Sequence, residues 1–273
     1  MREKLIWLVM AVAAAVPALG SPIFSLDSTT TAFGLLGGTI SNTGTSAVVG
    51  DVGATTTITG FPPGTATGTV FPAPSSTVSI DAYTDFVNAL ATAEALAPTQ
   101  TAPDLLTTDT TFIGNNVYSF TSPSISTVSG INLTFDAQNN PNAIFVIKVA
   151  GDFTENGALT FHLKNGAQAD NIFWVVGDAA TISVGSSGPI NWDGNILAGS
   201  AFTMSAATGG SGVLAGTING CVFAVTANTL AGETNVNGCS STAASVPEPG
   251  SWELVSLGCL LGILALRKLR GRL

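Results

Sequence analysis

The stretch Ala158-Leu159-Thr160-Phe161-His162-Leu163-Lys164 alternates apolar and polar side chains without a break. A period of two places Leu159, Phe161 and Leu163 on one side of a β-strand and Thr160, His162 and Lys164 on the other. The turn pair Asn165-Gly166 follows at once. Working outward, the same pattern recurs. Apolar or alternating runs occupy Ile131–Phe135, Ala143–Val149, Asn171–Val176, Asn195–Ala198, Ala201–Ser205 and Cys221–Thr226. Further turn pairs stand at Asn156-Gly157, Asp193-Gly194, Asn219-Gly220 and Asn237-Gly238. Strands arriving at intervals of about 10–25 residues, with no linker between them, predict one β domain of stacked turns.

Composition narrows the class. The chain has 273 residues, with 8 Lys and Arg against 17 Asp and Glu, and its 35 Thr outnumber its 31 Gly. Six of the bases lie at the extreme ends: Arg2, Lys4, Arg267, Lys268, Arg270 and Arg272. Between Ser21 and Val246 only Lys148 and Lys164 oppose 14 acids, a formal charge of −12. That surface has no cations with which to displace counterions from a phosphate backbone, so nucleic acid is excluded as a partner. An anionic membrane surface is excluded for the same region. Disorder is excluded too, because 45 % of the residues are hydrophobic and 9 % charged.

One segment departs from period two. Ser79–Ala97 carries Ile80, Tyr83, Phe86, Val87, Leu90, Ala93 and Ala97 at three- and four-residue spacing. This predicts an amphipathic helix over about residues 79–97, capped by Ser79, ended by Pro98 and laid along the β body.

The two ends read as addresses. Met1–Gly20 has a charged start, Arg2 and Lys4, a short apolar run and small residues at Ala18-Leu19-Gly20, the pattern of a signal peptide. At the other end Pro247-Glu248-Pro249 precedes the apolar Leu254–Leu266 and the basic Arg267–Arg272. This arrangement resembles the PEP-CTERM sorting tail of Gram-negative bacteria. The resemblance implies a transient membrane anchor, an exosortase-type processing enzyme as partner, and a destination at the cell surface or extracellular matrix. The expected organisation is therefore a signal peptide over 1–20, a β domain over 21–246 and a sorting tail over 247–273. Cys221 and Cys239 remain outside the tail. In an oxidising compartment they form a disulfide or stay as two thiols, and the short loop between them favours the bridge.

Several blocks carry a second resemblance. They are Phe33-Gly34-Leu35-Leu36-Gly37 with Asn42-Thr43-Gly44, Gly50-Asp51-Val52-Gly53, and Thr59-Gly60-Phe61-Pro62-Pro63-Gly64. Leu133–Gln138, Pro141–Phe145, Asn165–Gln168, Asn171–Gly177 and Gly194–Ala198 follow in order. The chain from Phe33 to about Asn237 is similar to the ice-binding-protein-like (DUF3494) family. The resemblance implies an all-β fold with one long helix: an irregular right-handed β-solenoid of triangular cross-section with the helix packed alongside. It also implies adsorption to ice, which lowers the freezing point or blocks recrystallisation.

Ice recognition requires a flat, rigid, weakly charged array. Alternate residues on a strand lie about 6.6 Å apart and neighbouring strands about 4.8 Å apart, close to oxygen spacings on ice planes. Thr suits such an array because its β-branch stiffens χ1 and its methyl and hydroxyl both restrain water. The candidates are Thr55, Thr57, Thr59, Thr65, Thr67 and Thr69, with Thr160, Thr181, Ser183, Thr203, Ser205, Thr217 and Thr226 on later strands.

The chemistry of an enzyme is missing. His162 is the one histidine and reads as a solvated strand residue. No Cys/His cluster has zinc spacing, and there is no nucleophile elbow or phosphate loop. Asp136–Asn140 reads as a turn, because Pro141 stands where a calcium loop needs Gly. A glycosidase built on Asp152 and Asp193 is the enzymatic rival. An adhesin or biofilm-matrix protein of the same fold, with extracellular polysaccharide as its partner, is the stronger one. No metal or cofactor is expected.

Overall fold

The structure is a computed structural model that describes residues 23–103, 108–127, 130–157, 159–184, 188–206 and 214–239. The signal stretch and the Pro247-Glu248-Pro249 tail lie outside the described residues. Among those described, no helix is long and apolar enough to cross a membrane.

Every paired strand runs parallel to its partner. Asn-Gly pairs therefore make corners here, not hairpins. The chain lays down strands in groups, which we call rungs. Rung 1 is Phe33–Asn42 and Ala47–Val48; rung 2 is Asp51–Thr59 and Thr65–Ala66. Rung 3 is Gln100–Thr101 and Thr110–Ile113; rung 4 is Asn116–Ser119, Ile125–Ser126 and Ile131–Asp136. Rung 5 is Phe145–Val149, Phe153–Glu155 and Leu159–Lys164; rung 6 is Ile172–Val176, Ala180–Ser183 and Ile190–Asp193. Rung 7 is Asn195–Ala198, Ala201–Ser205 and Leu214–Asn219; rung 8 is Val222–Ala231 and Glu233–Val236.

Rungs 3 to 8 stack in chain order, and rung 8 then pairs with rung 1, as in Leu35↔Val222 and Asn42↔Leu230. Rung 2 completes the stack on the far side of rung 1. Three faces result. The opening strands of the rungs form a helix face and the closing strands a third face. The middle strands form an open face, to which the second halves of the long strands in rungs 1, 2 and 8 also belong. A register shift between Gly37 and Thr39 marks the corner where rung 1 passes from helix face to open face.

Alternation along each strand fills the interior. Phe112, Phe135, Phe145, Phe153, Trp174, Trp192 and Phe202 are fully buried, with Trp174 and Trp192 at a centroid distance of 4.8 Å. Strands of the helix face are buried on both sides, which is why Ile172–Val176 reads as an unbroken apolar run. Its outer side, Val146, Phe173, Val175, Leu197 and Phe223, meets the long helix.

That helix spans Thr77–Ala95. It starts two residues earlier than periodicity predicts because Ser76 is the cap: its side chain accepts from the Ser79 N–H at 3.3 Å. Ser79 and Ala82 join Phe86, Leu90 and Ala93 in the buried stripe, whereas Ile80, expected there, is 41 % exposed. Ala97 falls beyond the helix and is exposed. Tyr83 donates to the Val225 carbonyl at 2.9 Å, and Lys148 donates to the Glu94 and Leu96 carbonyls that the helix C-terminus leaves unpaired. Helix and β body are thus joined at both ends.

Cys221 and Cys239 form a disulfide with Cα atoms 4.7 Å apart. Cys221 sits where the third-face strand of rung 7 gives way to the helix face, and Cys239 follows the third-face strand of rung 8.

Candidate functional site

On the open face, inward residues such as Phe153, Ile182, Met204 and Leu230 enter the core, and outward residues stand in columns. The register fixes one column without a gap. Ser126 pairs with Thr154, Thr154 with Thr181, Thr181 with Thr203, Thr203 with Thr229, Thr229 with Ser41, and Ser41 with Thr59. Seven hydroxyl side chains thus line up across rungs 4 to 8, 1 and 2. At the spacing of paired strands this ladder is about 29 Å long.

Two shorter columns flank it. Ala201, Ala227, Thr39 and Thr57 stand in register on one side; Ser183, Ser205 and Ala231 stand on the other. None of these side chains is ionisable. Methyl and hydroxyl groups of similar height make the surface flat, and β-branching at Thr keeps it stiff. Among the described residues, the hydroxyls of Thr181, Thr203 and Thr229 make no hydrogen bond to protein, which leaves them to water. Thr59 is tied instead to the Ile40 carbonyl at 3.3 Å, and Asn156 Nδ2 donates to Ser126 Oγ at 3.1 Å.

Tight corners let the rungs stack this evenly. A Cβ at Gly199 would strike the carbonyl of Gly177 one rung away, and one at Gly177 would strike that of Ala150. Asparagines bond across corners in the same way: buried Asn228 donates to the Leu36 carbonyl at 2.8 Å, joining rung 8 to rung 1.

The thirteen predicted threonines and serines do not share one face. Thr57, Thr59, Thr181, Ser183, Thr203 and Ser205 lie on the open face, in the ladder or beside it. Thr55 and Thr226 lie at the corner between helix face and open face. Thr65, Thr160 and Thr217 belong to the third face. Thr67 and Thr69 follow the last strand of rung 2, where the Thr67 hydroxyl accepts from the Gly50 N–H and the Thr69 N–H donates to Asp51. Sequence reasoning did not find Thr154, Thr229, Ser41, Thr39 or Ser126. The alternation in Val222–Ala231 was a usable signal for Thr229.

The third face has a different chemistry. Asp109, Asn132 and His162 are linked, as are Asn165 with Asp136 and Asn219 with Asp193, both at 2.7 Å. Donation from Asn165 and the Gln138 N–H holds the Asp136 carboxyl below its usual value, while burial pushes Asp193 up. A cleft of about 450 Å³ lies between Leu159–Lys164 and Ile190–Asp193, where this sheet is interrupted. Trp174 and Trp192, which a sugar binder would need at its surface, are sealed in the core. Asp152 and Asp193 sit on different faces. Among the described residues no group of His, Cys, Asp and Glu could hold a metal.

Comparison with known proteins agrees with this geometry. Over 184 residues the chain is 34 % identical to an ice-binding protein of Nostoc sp. (strain HG1), covering 66 % of this chain and 64 % of that one. It thus spans slightly less than two thirds of that relative's length. The crystal structure of an ice-binding protein from the Antarctic ascomycete Antarctomyces psychrotrophicus matches with a TM-score of 0.66 and 28 % identity, over 80 % of this chain and all of that one. That of an ice-binding protein from an Antarctic biological consortium matches with a TM-score of 0.62 and 27 % identity, over 79 % and 90 %. Residues 35–236 match the family described as Ice-binding-like, which is not a family of enzymes. The chain belongs to that ice-binding-like family.

Proposed function

We propose that this protein binds ice by adsorption through the open face, with the column Ser126–Thr154–Thr181–Thr203–Thr229–Ser41–Thr59 at its centre. The observation that carries this reading is the unbroken register of that column of uncharged hydroxyl side chains. The rung-to-rung and alternate-residue spacings let such a face hold a lattice-like layer of water that merges with a growing crystal. Adsorbed molecules pin the crystal front, so growth between them is curved and unfavourable. We read the winding as an irregular right-handed β-solenoid of triangular cross-section, a shape supported by the three parallel faces and by the resemblance to solved relatives.

Met1–Gly20 and the Pro247–Leu273 tail support an exported protein, held at the membrane until an exosortase-type enzyme removes the tail, in a Gram-negative bacterium. The destination is the cell surface or matrix. An adhesin without ice activity is disfavoured by the family and by the buried tryptophans. The test is ice recrystallisation inhibition and ice-affinity partition of the full chain. Micromolar inhibition with enrichment in the ice fraction is the expected result. Exclusion from ice at every concentration would return the adhesin to first place.

A further inference from the structure

The three faces differ in what they leave accessible, and the chain's exits are not placed evenly among them. Within each three-strand rung the open-face strand lies between the helix-face strand and the third-face strand. The remaining corner, where third face meets helix face, is the one that does not touch the ladder. The described chain ends at that corner. Glu233–Val236 is its last strand, on the third face, and Cys239 follows, bridged to Cys221 at the same corner one rung earlier. The N-terminal end lies against the helix face. Phe24 is buried against Phe173 on the helix face, with ring centroids 4.9 Å apart. Beyond Cys239 the sequence continues for residues 240–273, including the apolar Leu254–Leu266 and the basic Arg267–Arg272.

From this placement we propose that the molecule is arranged to be held from behind: attached through the chain beyond Cys239, it carries the hydroxyl ladder directed away from the holding surface and meets ice there. This rests on the ladder being the ice face. Three features make the arrangement effective. The disulfide stops a pull on the C-terminal segment from peeling rung 8, which supplies Thr229 to the ladder. The helix face is already covered, so it offers no competing contact. The third face carries Asp109, Asp136, His162 and Lys164, hydrated groups suited to water between the domain and whatever holds it. The ladder, with its flanking Thr, Ser and Ala columns, is the surface left to face outward.

The experiment uses the full chain in a Cys259→Ser background, so that Cys221 and Cys239 are the native bridged pair. One preparation carries biotin at Leu273; a second carries it on Thr203→Cys, in the middle of the ladder. Both are loaded on streptavidin beads, and bead uptake into a slowly growing ice hemisphere is counted. Recrystallisation inhibition by the same unbiotinylated Cys259→Ser chain, free in solution, is measured in parallel. Leu273-linked beads should enter the ice about tenfold above bare beads, since many copies act together, and Thr203-linked beads should stay near background. If Leu273-linked beads are excluded while the free chain inhibits recrystallisation, the orientation is wrong and the ice reading stands. If both bead types are taken up equally, the ladder is not the contact and the proposal falls. If the free chain is inactive, the ice reading fails and takes the orientation with it.

Discussion

Glu155, the residue after Thr154 in rung 5 and paired with Ile182 of rung 6, points inward beneath the open face and is completely buried. It keeps a hydrogen bond from the Gly157 N–H at 2.7 Å, while Oε2 has no partner among the described residues. Burial pushes its carboxyl from 4.5 up to about 7. The native state therefore favours the protonated form. Its contribution is fully present below about pH 4.5, declines as pH rises towards 7, and stays low above that. Glu155→Gln should flatten this dependence, making the variant about 2–3 kcal/mol more stable relative to wild type at pH 8 than at pH 4.5. Urea unfolding at the two pH values measures it; parallel curves for the two proteins would show that Glu155 is not buried as a neutral acid. Gly199 is a second single-residue test. Gly199→Val would force its branched side chain against the Gly177 carbonyl and should cost at least about 2 kcal/mol, read as a lowered urea midpoint.

At the scale of elements, the long helix and the rung contacts carry separate loads. Phe86, buried against Phe223 with a centroid distance of 5.5 Å, anchors the helix. Phe86→Ala should cost about 3–5 kcal/mol and expose the apolar helix face, raising binding of a hydrophobic dye. Asn228→Ala removes the bond to Leu36 that joins rung 8 to rung 1, and should cost about 1–3 kcal/mol. What was legible in the sequence follows the same division. Alternation in Ala201–Ser205 and around Thr181 identified inward and outward residues correctly, because period two is a local property. It could not tell which of three faces an outward residue joins: Thr160 and Thr217 have the same local pattern as Thr203 and lie on the third face. Helix placement slipped by two residues because Ser76 supplies the cap, while Ser79, read as the cap, is buried in the helix stripe. The disulfide pair was legible as Cys221 with Cys239, the two cysteines in the region read as the β domain. The ladder was not, because Ser41 of rung 1 reaches Thr229 only through a pairing that reverses chain order.

For the molecule as a whole, that reversal has consequences. Rungs 1 and 2 supply Ser41, Thr39, Thr57 and Thr59, yet rung 1, with rung 2 on its far side, docks on rung 8, the last to be made. The complete ladder therefore requires the N-terminal rungs, the helix that runs back along the stack, and the C-terminal rung to assemble together. The bridge between Cys221 and Cys239, separated by 18 residues, ties the last of these down. Replacing both by Ser should cost roughly 3 kcal/mol and lower the melting temperature, with native circular dichroism retained in the cold. The proposed function requires that one face of three meets ice. Recrystallisation inhibition by full-length Thr203→Tyr beside Thr217→Tyr tests it most directly, since both change an outward threonine in rung 7 and only the first lies in the ladder. With both variants folded, Thr203→Tyr should raise the inhibiting concentration about tenfold or more by lifting the array off the crystal, and Thr217→Tyr should match wild type. Loss of activity in Thr217→Tyr with Thr203→Tyr unaffected would place the ice contact on the third face instead.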